Sequence, residues 1–364
     1  MDLEGYEQQA RAVLDGEVYD YYAGGAGAEV TLRANRRAWQ DYDFFPGMLR
    51  GVGEVRTATT VLGTALPAPV MVAPSAYHAL AHPEGERATI QGVARARSLM
   101  IASTQSSTRL EDIAAAAPDA RRWFQLYLFE DRGFVGELID RAVDAGYGAI
   151  VATIDVPALG NRRRDVVHGF VPSDRVAMAN VPAGADASSR RGPDAVFRKH
   201  DPNLTPEILA WITERSELPL VVKGVLRADD ALTCVDAGAS AIAVSNHGGR
   251  QLDRAVPTAH ALAEVVAAVE AVASDVPVEV YVDGGVRSGE DVLVALALGA
   301  RAVLVGRPVL WGLATRGAAG VCEVLTGLGE ELELALRLAG VPDATNVPRD
   351  LICPSWGRGP GCDR

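Results

Sequence analysis

Eight short apolar runs decide how this chain folds: PVMVAP (69–74), SLMIAS (98–103), RWFQLY (122–127), GAIVATID (148–155), LPLVVKG (218–224), SAIAVSN (240–246), PVEVYVDG (277–284) and RAVLVG (301–306). Each has the length of a strand and is rich in Val, Ile, Leu or Ala. None shows the polar alternation of a strand with one wet face, so they read as strands buried on both sides, as in a parallel sheet. Between them lie helical stretches rich in Ala, Glu and Arg, at 84–98, 134–146, 205–216, 228–238, 259–272 and 288–299. Eight alternating βα units predict an α/β fold, a closed (β/α)8 TIM barrel rather than an open doubly wound sheet.

Outward from the runs, residues 1–65 precede the repeat and read as an N-terminal helical extension. Leu3, Tyr6, Ala10, Val13 and Leu14 recur at helical spacing, and Thr31 to Trp39 forms a second amphipathic stretch after a Gly-rich break. More than 60 residues separate the fourth and fifth runs, and Val171 to Asn203 is rich in Pro, Gly, Ala, Ser and Asp. Connections that long are mobile lids or plain insertions. ICPSWGRGPGCDR (352–364) reads as a flexible tail. The length of 364 residues would suit two ordinary domains, but the unbroken βα repeat predicts one barrel domain over 1–364.

With 48% hydrophobic residues the chain can fill a large core. Lys and Arg number 35 against 47 Asp and Glu, a formal charge of -12, which disfavours nucleic acid and anionic membrane as partners. An anionic small molecule would then need arginines gathered locally. The cysteines at 234, 322, 353 and 362 have neither metal-ligand spacing nor a disulfide framework, so no metal and a reducing cytoplasm are expected. No signal-like start and no apolar run of about 18 residues is present, which predicts a soluble protein.

A barrel builds its site at the C-terminal ends of its strands, and here nearly every run ends in polar residues. They are Pro74-Ser75, Ser103-Thr104, Gln125 and Tyr127, Thr153 and Asp155, Lys223, Ser245-Asn246-His247, Asp283, and Gly306-Arg307. DGGVRSGED (283–291) and GRP (306–308) follow the last two strands, where barrels hold phosphate at a helix N-terminus. Gly284 and Gly285 would also serve a plain tight turn, but the Gly-Arg pair on the adjacent loop favours phosphate. In SNHGGRQLD (245–253) a histidine able to take a proton near neutral pH stands three residues before an arginine suited to a carboxylate. His78, His82, His168, His200 and His260 lack that setting and are given no chemistry. Lys223 closes an apolar strand and needs an anionic partner in the barrel mouth, a phosphate or an electron-rich ring. Asp155 could orient the imidazole of His247 or simply cap the next loop.

These residues carry a resemblance. VYDYYAGGA (18–26), AHPEGE (81–86), FQLY (124–127), TIDVPALGNRRRD (153–165), KG (223–224), SNHGGRQLD and DGGVRSGEDVLVALALGARAVLVGRP (283–308) are similar to the FMN-dependent 2-hydroxy acid oxidases and dehydrogenases, which include glycolate oxidase, lactate oxidase and mandelate dehydrogenase. The likeness spans nearly the whole chain, and SNHGGRQLD is its most specific string. It implies FMN held by Pro74, Ser75, Ala76, Ser103, Gln125, Thr153, Lys223 and Ser245. Two phosphate loops complete that set: Asp283, Gly284, Gly285, Val286 and Arg287, and then Gly306 and Arg307. It implies that Lys223 lies by the N1 and O2 edge of the flavin, where a cation favours the anionic reduced form. It further implies a substrate carboxylate clamped by Arg162 and Arg250, with hydrogen bonds from Tyr21 and Tyr127, and His247 as base with Asp155 stabilising its imidazolium. Whether hydride or a carbanion then passes electrons to flavin N5 is left open.

Glycolate oxidase carries a methionine and a tryptophan where this chain has Tyr77 and Gln105, which remodels the wall facing the substrate side chain. PSAYHALAHPEGE (74–86) is closer to hydroxymandelate oxidases, which points to mandelate or 4-hydroxymandelate of S configuration. Lactate or glycolate oxidation, a quinone-linked dehydrogenase and a decarboxylating monooxygenase are the alternatives within the family. Dioxygen is the expected electron acceptor, and the resemblance implies a homotetramer. A type 2 isopentenyl diphosphate isomerase or an inosine monophosphate dehydrogenase would share the phosphate loops but lack the His247 and Arg250 string, and the latter would need a cysteine on the rim. A flavin-storing relic of the fold is disfavoured, because base, lysine and both arginines are present.

Overall fold

The computed structural model describes residues 2–171, 175–181, 200–272 and 277–355. Each apolar run contains a strand, and the eight close into a parallel barrel: β1 (Val70–Val72), β2 (Leu99–Ser103), β3 (Arg121–Tyr127), β4 (Ile150–Thr153), β5 (Leu220–Val225), β6 (Ala241–Val244), β7 (Glu279–Asp283) and β8 (Ala302–Val305). Pairing of β8 with β1 completes the ring. Six intervening helices match the predicted stretches to within a few residues. A helix absent from the sequence reading follows β8, running Arg307–Ala339 with a break at Arg316 and Gly317.

Alternate residues of a strand point to opposite faces. The inward set, including Met71, Ile101, Trp123, Val151, Val221, Ala243, Tyr281 and Leu304, forms one buried apolar cluster inside the barrel. The outward set joins the surrounding helices in a second, larger core. Two residues further along the same inward faces stand Ser103, Gln125, Thr153, Lys223, Ser245 and Asp283, all buried. The pleat itself therefore turns an apolar plug into a polar floor at the C-terminal mouth.

The expected helical extension over 1–65 holds only in part. Its helices are Leu3–Val13, Gly16–Ala23 and Val30–Ala38, but Thr59–Val61 and Thr64–Leu66 form an antiparallel hairpin. The turn residues Leu62 and Gly63 both have positive φ, 43° and 76°, the geometry that suits a two-residue hairpin loop. Val61 and Leu66 join the apolar cluster inside the barrel, and the Leu62 amide donates to Glu279 Oε1 at 3.1 Å, so the hairpin closes the bottom of the barrel. The expected tail is also corrected at its start: Ile352–Pro354 pairs antiparallel with Tyr42–Phe44, burying part of both segments. Its remainder, 356–364, lies outside the described residues. Cys353 is disulfide-bonded, which cysteine spacing did not anticipate.

The helices of the extension cross the barrel mouth. Asn35 and Asn246 exchange amide hydrogen bonds of 2.8 and 2.7 Å, Trp39 Nε1 donates to the Gly284 carbonyl at 2.8 Å, and the Ala26 amide donates to the Gly249 carbonyl at 2.8 Å. Between β4 and β5 the described chain forms a helix at Arg163–His168 and an antiparallel bridge between Phe129 and His200. Positions 172–174 and 182–199 lie outside the described residues, and with them most of the expected lid. Among the described residues no helix is long and apolar enough to cross a membrane.

Trp123 is among the largest fully buried side chains and fills the barrel interior beside Tyr281, with ring centroids 5.8 Å apart. Trp123→Ala should cost about 3–5 kcal/mol, read as a lower urea midpoint at unchanged slope. A loss under about 1 kcal/mol would show that the interior cluster does not hold the barrel together.

Candidate active site

The polar floor opens into a cavity at the mouth. Of the expected site residues, Tyr21, Pro74, Ser75, Ala76, Ser103, Gln105, Gln125, Tyr127, Thr153, Arg162, Lys223, His247, Arg250, Asp283, Gly284, Gly285, Val286, Arg287, Gly306 and Arg307 all line it. Three do not. Asp155 stands behind His247, Ser245 is engaged within the floor by Lys223, whose Nζ donates to its Oγ, and Tyr77 packs edge-on against Tyr21 with centroids 6.2 Å apart. Tyr22, Gly248 and Leu310 line the cavity without having been expected, although Tyr22 adjoins Tyr21 in a quoted motif. The Tyr22 hydroxyl donates to the Tyr77 carbonyl at 2.6 Å and so holds the loop after β1 against the extension.

His247 occupies a left-handed backbone conformation, φ 57°, which is uncommon for a residue with a side chain. Its amide donates to Ser245 Oγ at 3.0 Å, and its Nδ1 lies 2.9 Å from Asp155 Oδ1. Burial lowers the imidazole pKa below the usual value, with Asp155 pulling only partly the other way. Burial would raise the Asp155 carboxyl, yet the contact with His247 outweighs it and holds the carboxyl low. The pair is thus a neutral imidazole donating Nδ1–H to a carboxylate, which leaves Nε2 as a proton acceptor. Gly224 makes this approach possible. It forms a bulge after Lys223 with φ 112°, and a Cβ there would stand 2.6 Å from Asp155 Cβ.

Lys223 was expected to need an anion, and the protein supplies one: Nζ lies 2.9 Å from Asp283 Oδ2 and donates to Ser245 Oγ at 2.8 Å. Burial would lower the ammonium pKa, but Asp283 and Asp155 together hold it raised. The Asp283 carboxylate at the start of the glycine loop is thus directed to Lys223. Gly284 and Gly285 both have φ 94°, and a Cβ on Gly285 would stand 2.2 Å from the Asn35 carbonyl, so the extension as well as the turn demands glycine.

Two pairs of arginines frame the cavity. Arg250 donates to the carbonyls of Tyr21 and Gly24 at 2.7 and 2.9 Å and covers the Tyr21 ring at 5.1 Å. Arg162 stands beside it, its pKa held down to about 10 by burial and by the charge of Arg250. Arg307 is tied to the carbonyls of Tyr22, Gly24 and Gly248 at 2.8–3.0 Å. Arg287 is held down to about 10 by burial and by Arg36. At about 10, Arg162 and Arg287 remain charged at neutral pH, and burial pushes Arg307 down as well; the depressions express how poorly burial suits a guanidinium without an anion.

The residues fit FMN. Buried polar groups are normally paired, yet among the described residues Gln125 Nε2, Thr153 Oγ1, Asp283 Oδ1 and Arg287 Nε are buried without a hydrogen-bond partner, and all four residues line the cavity. A planar ring with a polar edge would be held by the first three, and a phosphate would be held by Arg287 and Arg307. That leaves Arg162, Arg250, Tyr21, Tyr127 and His247 at one end, where a small carboxylate can be held beside a proton acceptor.

The FMN-dependent dehydrogenase family matches residues 10–354. The chain is 44% identical over 361 residues to L-lactate oxidase of Nostoc sp., covering 97% of this chain and 98% of that protein. It is 46% identical over 344 residues to 4-hydroxymandelate oxidase of Amycolatopsis orientalis, covering 93% and 94%. A crystal structure of mandelate oxidase with (S)-4-hydroxymandelic acid superposes with a TM-score of 0.89 at 45% identity, covering 96% of this chain and 98% of that one. The chain belongs to the FMN-dependent dehydrogenase family.

Proposed function

We propose that this FMN-dependent 2-hydroxy acid oxidase converts an (S)-2-hydroxy acid with an aryl side chain, such as mandelate or 4-hydroxymandelate, to the 2-oxo acid. The observation that carries the reading is the His247–Asp155 pair, 2.9 Å apart, with His247 lining the same cavity as Arg162 and Arg250. The two guanidinium groups hold the substrate carboxylate, which sets the α-carbon and its hydroxyl before His247. Tyr21 and Tyr127 supply hydroxyls to the same end. His247 takes one proton through Nε2, and Asp155 stabilises the imidazolium that forms. Bound FMN supplies the two-electron acceptor, and dioxygen takes the electrons onward with two protons as hydrogen peroxide. Lys223, fixed by Asp283 and Ser245, is placed to stabilise negative charge on the ring.

The aryl preference rests on the wall residues and on likeness to hydroxymandelate and mandelate oxidases. Gln105 is buried and lines the cavity, where its carboxamide suits a polar substituent on the substrate. Higher kcat/KM on glycolate or lactate than on mandelate and 4-hydroxymandelate would overturn that preference.

His247→Ala should keep its flavin absorbance while kcat falls by about 10²- to 10⁴-fold; near-normal turnover would remove His247 from the reaction. The pH profile follows from the shifts above. A lowered histidine pKa means that the base-competent neutral form persists below the ordinary value of about 6.5, so the acid limb of kcat/KM should lie beneath it. Asp155→Asn removes the charge that raises the imidazole, so the limb should move further acid while kcat drops at least about 10²-fold. An acid limb above 7 in the unsubstituted protein would contradict the assignment.

A homotetramer belongs to the same proposal. Met48 and Leu49 are 68% and 105% exposed on a segment whose Gly47 amide donates to the Ala339 carbonyl, beside exposed Leu334 and Leu338. Met48→Glu combined with Leu49→Glu should lower the mass seen by light scattering; an unchanged mass would place the interface elsewhere.

A further inference from the structure

We propose that His200 is a positioning residue for this reaction, anchored on the backbone beside Asp155 and holding the Tyr127 ring in one fixed place. The inference rests on the oxidase reading above, since it concerns the residues that reading places around the substrate. Sequence gave His200 no role, because it lies at the far end of the long connection between β4 and β5, with no motif around it.

The fold brings it to the site. His200 is 3% exposed, and its Nδ1 donates to the carbonyl of Val156 at 3.1 Å, one residue beyond Asp155. Its ring lies over that of Tyr127 with centroids 4.8 Å apart at 33°, and it meets Phe129 edge-on at 5.0 Å and 84°. The backbone is pinned at residues 200 and 201. His200 bridges Phe129, the Asp201 amide donates to the Leu128 carbonyl at 2.9 Å, and Asp201 pairs with Arg132, which itself donates to the Phe129 carbonyl at 3.1 Å. One imidazole therefore spans the ends of β3 and β4, touching the ring whose hydroxyl serves the substrate and the backbone beside the carboxylate that orients His247.

A histidine suits this place only while neutral. Burial holds its pKa down to about 4, and the nearby His247 pushes the same way. The ring can then stack and donate one hydrogen bond without adding a cation to a mouth already crowded with them. A phenylalanine would keep the stacking and lose the tie to Val156, and an asparagine would keep a donor and lose the stacking.

The test is a double-mutant cycle in the FMN-loaded enzyme with (S)-mandelate. His200→Ala should lower kcat/KM roughly tenfold or more, the size expected when a substrate-positioning group is loosened, with flavin content unchanged. In a Tyr127→Phe background the same substitution should cost less than about twofold, because its effect passes through the tyrosine hydroxyl. His200→Phe should recover part of the loss in the Tyr127 background. Should His200→Ala fail to fold, His200→Phe and His200→Asn run through the same cycle, each with a partial loss of kcat/KM when Tyr127 is present and a loss under about twofold in the Tyr127→Phe background. Equal losses in both backgrounds, or no loss in either, would overturn the positioning role while leaving the oxidase reading intact. An unsubstituted protein that turns over no 2-hydroxy acid would overturn both.

Discussion

Everything in the barrel mouth follows from a charge imbalance enclosed by the protein. Five cationic side chains, Arg162, Lys223, Arg250, Arg287 and Arg307, line the cavity with one carboxylate, Asp283, and Asp155 behind His247 adds a second. The excess of three positive charges sits inside a chain whose formal charge is -12. Buried charge is costly unless neutralised, and a phosphate dianion together with one carboxylate supplies the missing three negative charges. Under the proposed function the site would take two anions at once, a phosphate-bearing cofactor at Arg287 and Arg307 and a carboxylic acid at Arg162 and Arg250. Lys223 and Asp283 between them are already balanced, which frees the lysine to respond to charge developing on the ring rather than to hold a ligand.

Three structural devices keep those charges in place. The pleat puts Lys223, Asp283, Gln125 and Thr153 on inward faces directly above the apolar plug. The bulge at Gly224 lets Asp155 reach His247. The N-terminal extension roofs the mouth and supplies carbonyls of Tyr21, Tyr22 and Gly24 as acceptors for Arg250 and Arg307. Those carbonyls orient the guanidinium groups but cannot neutralise them, so the arginines stay aimed and still in need of an anion. The exchange between Asn35 and Asn246 ties this roof to the loop that carries His247, and so links substrate-end geometry to residues far away in the chain.

Much of this was legible before any coordinates. Continuous apolar runs separated by helical stretches can satisfy their burial only in a covered parallel sheet, and eight repeats close it. The rim residues were legible because a strand end followed by Gly, His, Lys or Arg has little other use in a barrel. What stayed hidden depends on contacts between distant segments. The partner of Lys223 is Asp283, 60 residues away, and no local pattern announces it. The hairpin at Thr59–Leu66 does have a signal, the β-branched Thr59, Thr60, Val61 and Thr64 on either side of Leu62-Gly63, against the helical reading of 1–65. His200 had none, since its place beside Tyr127 arises only when the long connection folds back.

The most direct test of the account is the visible spectrum of the purified protein held without oxygen. Adding (S)-mandelate should bleach the bound flavin, and admitting air should restore its absorbance with an equivalent of hydrogen peroxide. Flavin that stays oxidised with mandelate, 4-hydroxymandelate, lactate and glycolate alike would contradict the claim that this cavity seats a 2-hydroxy acid between its arginines and His247.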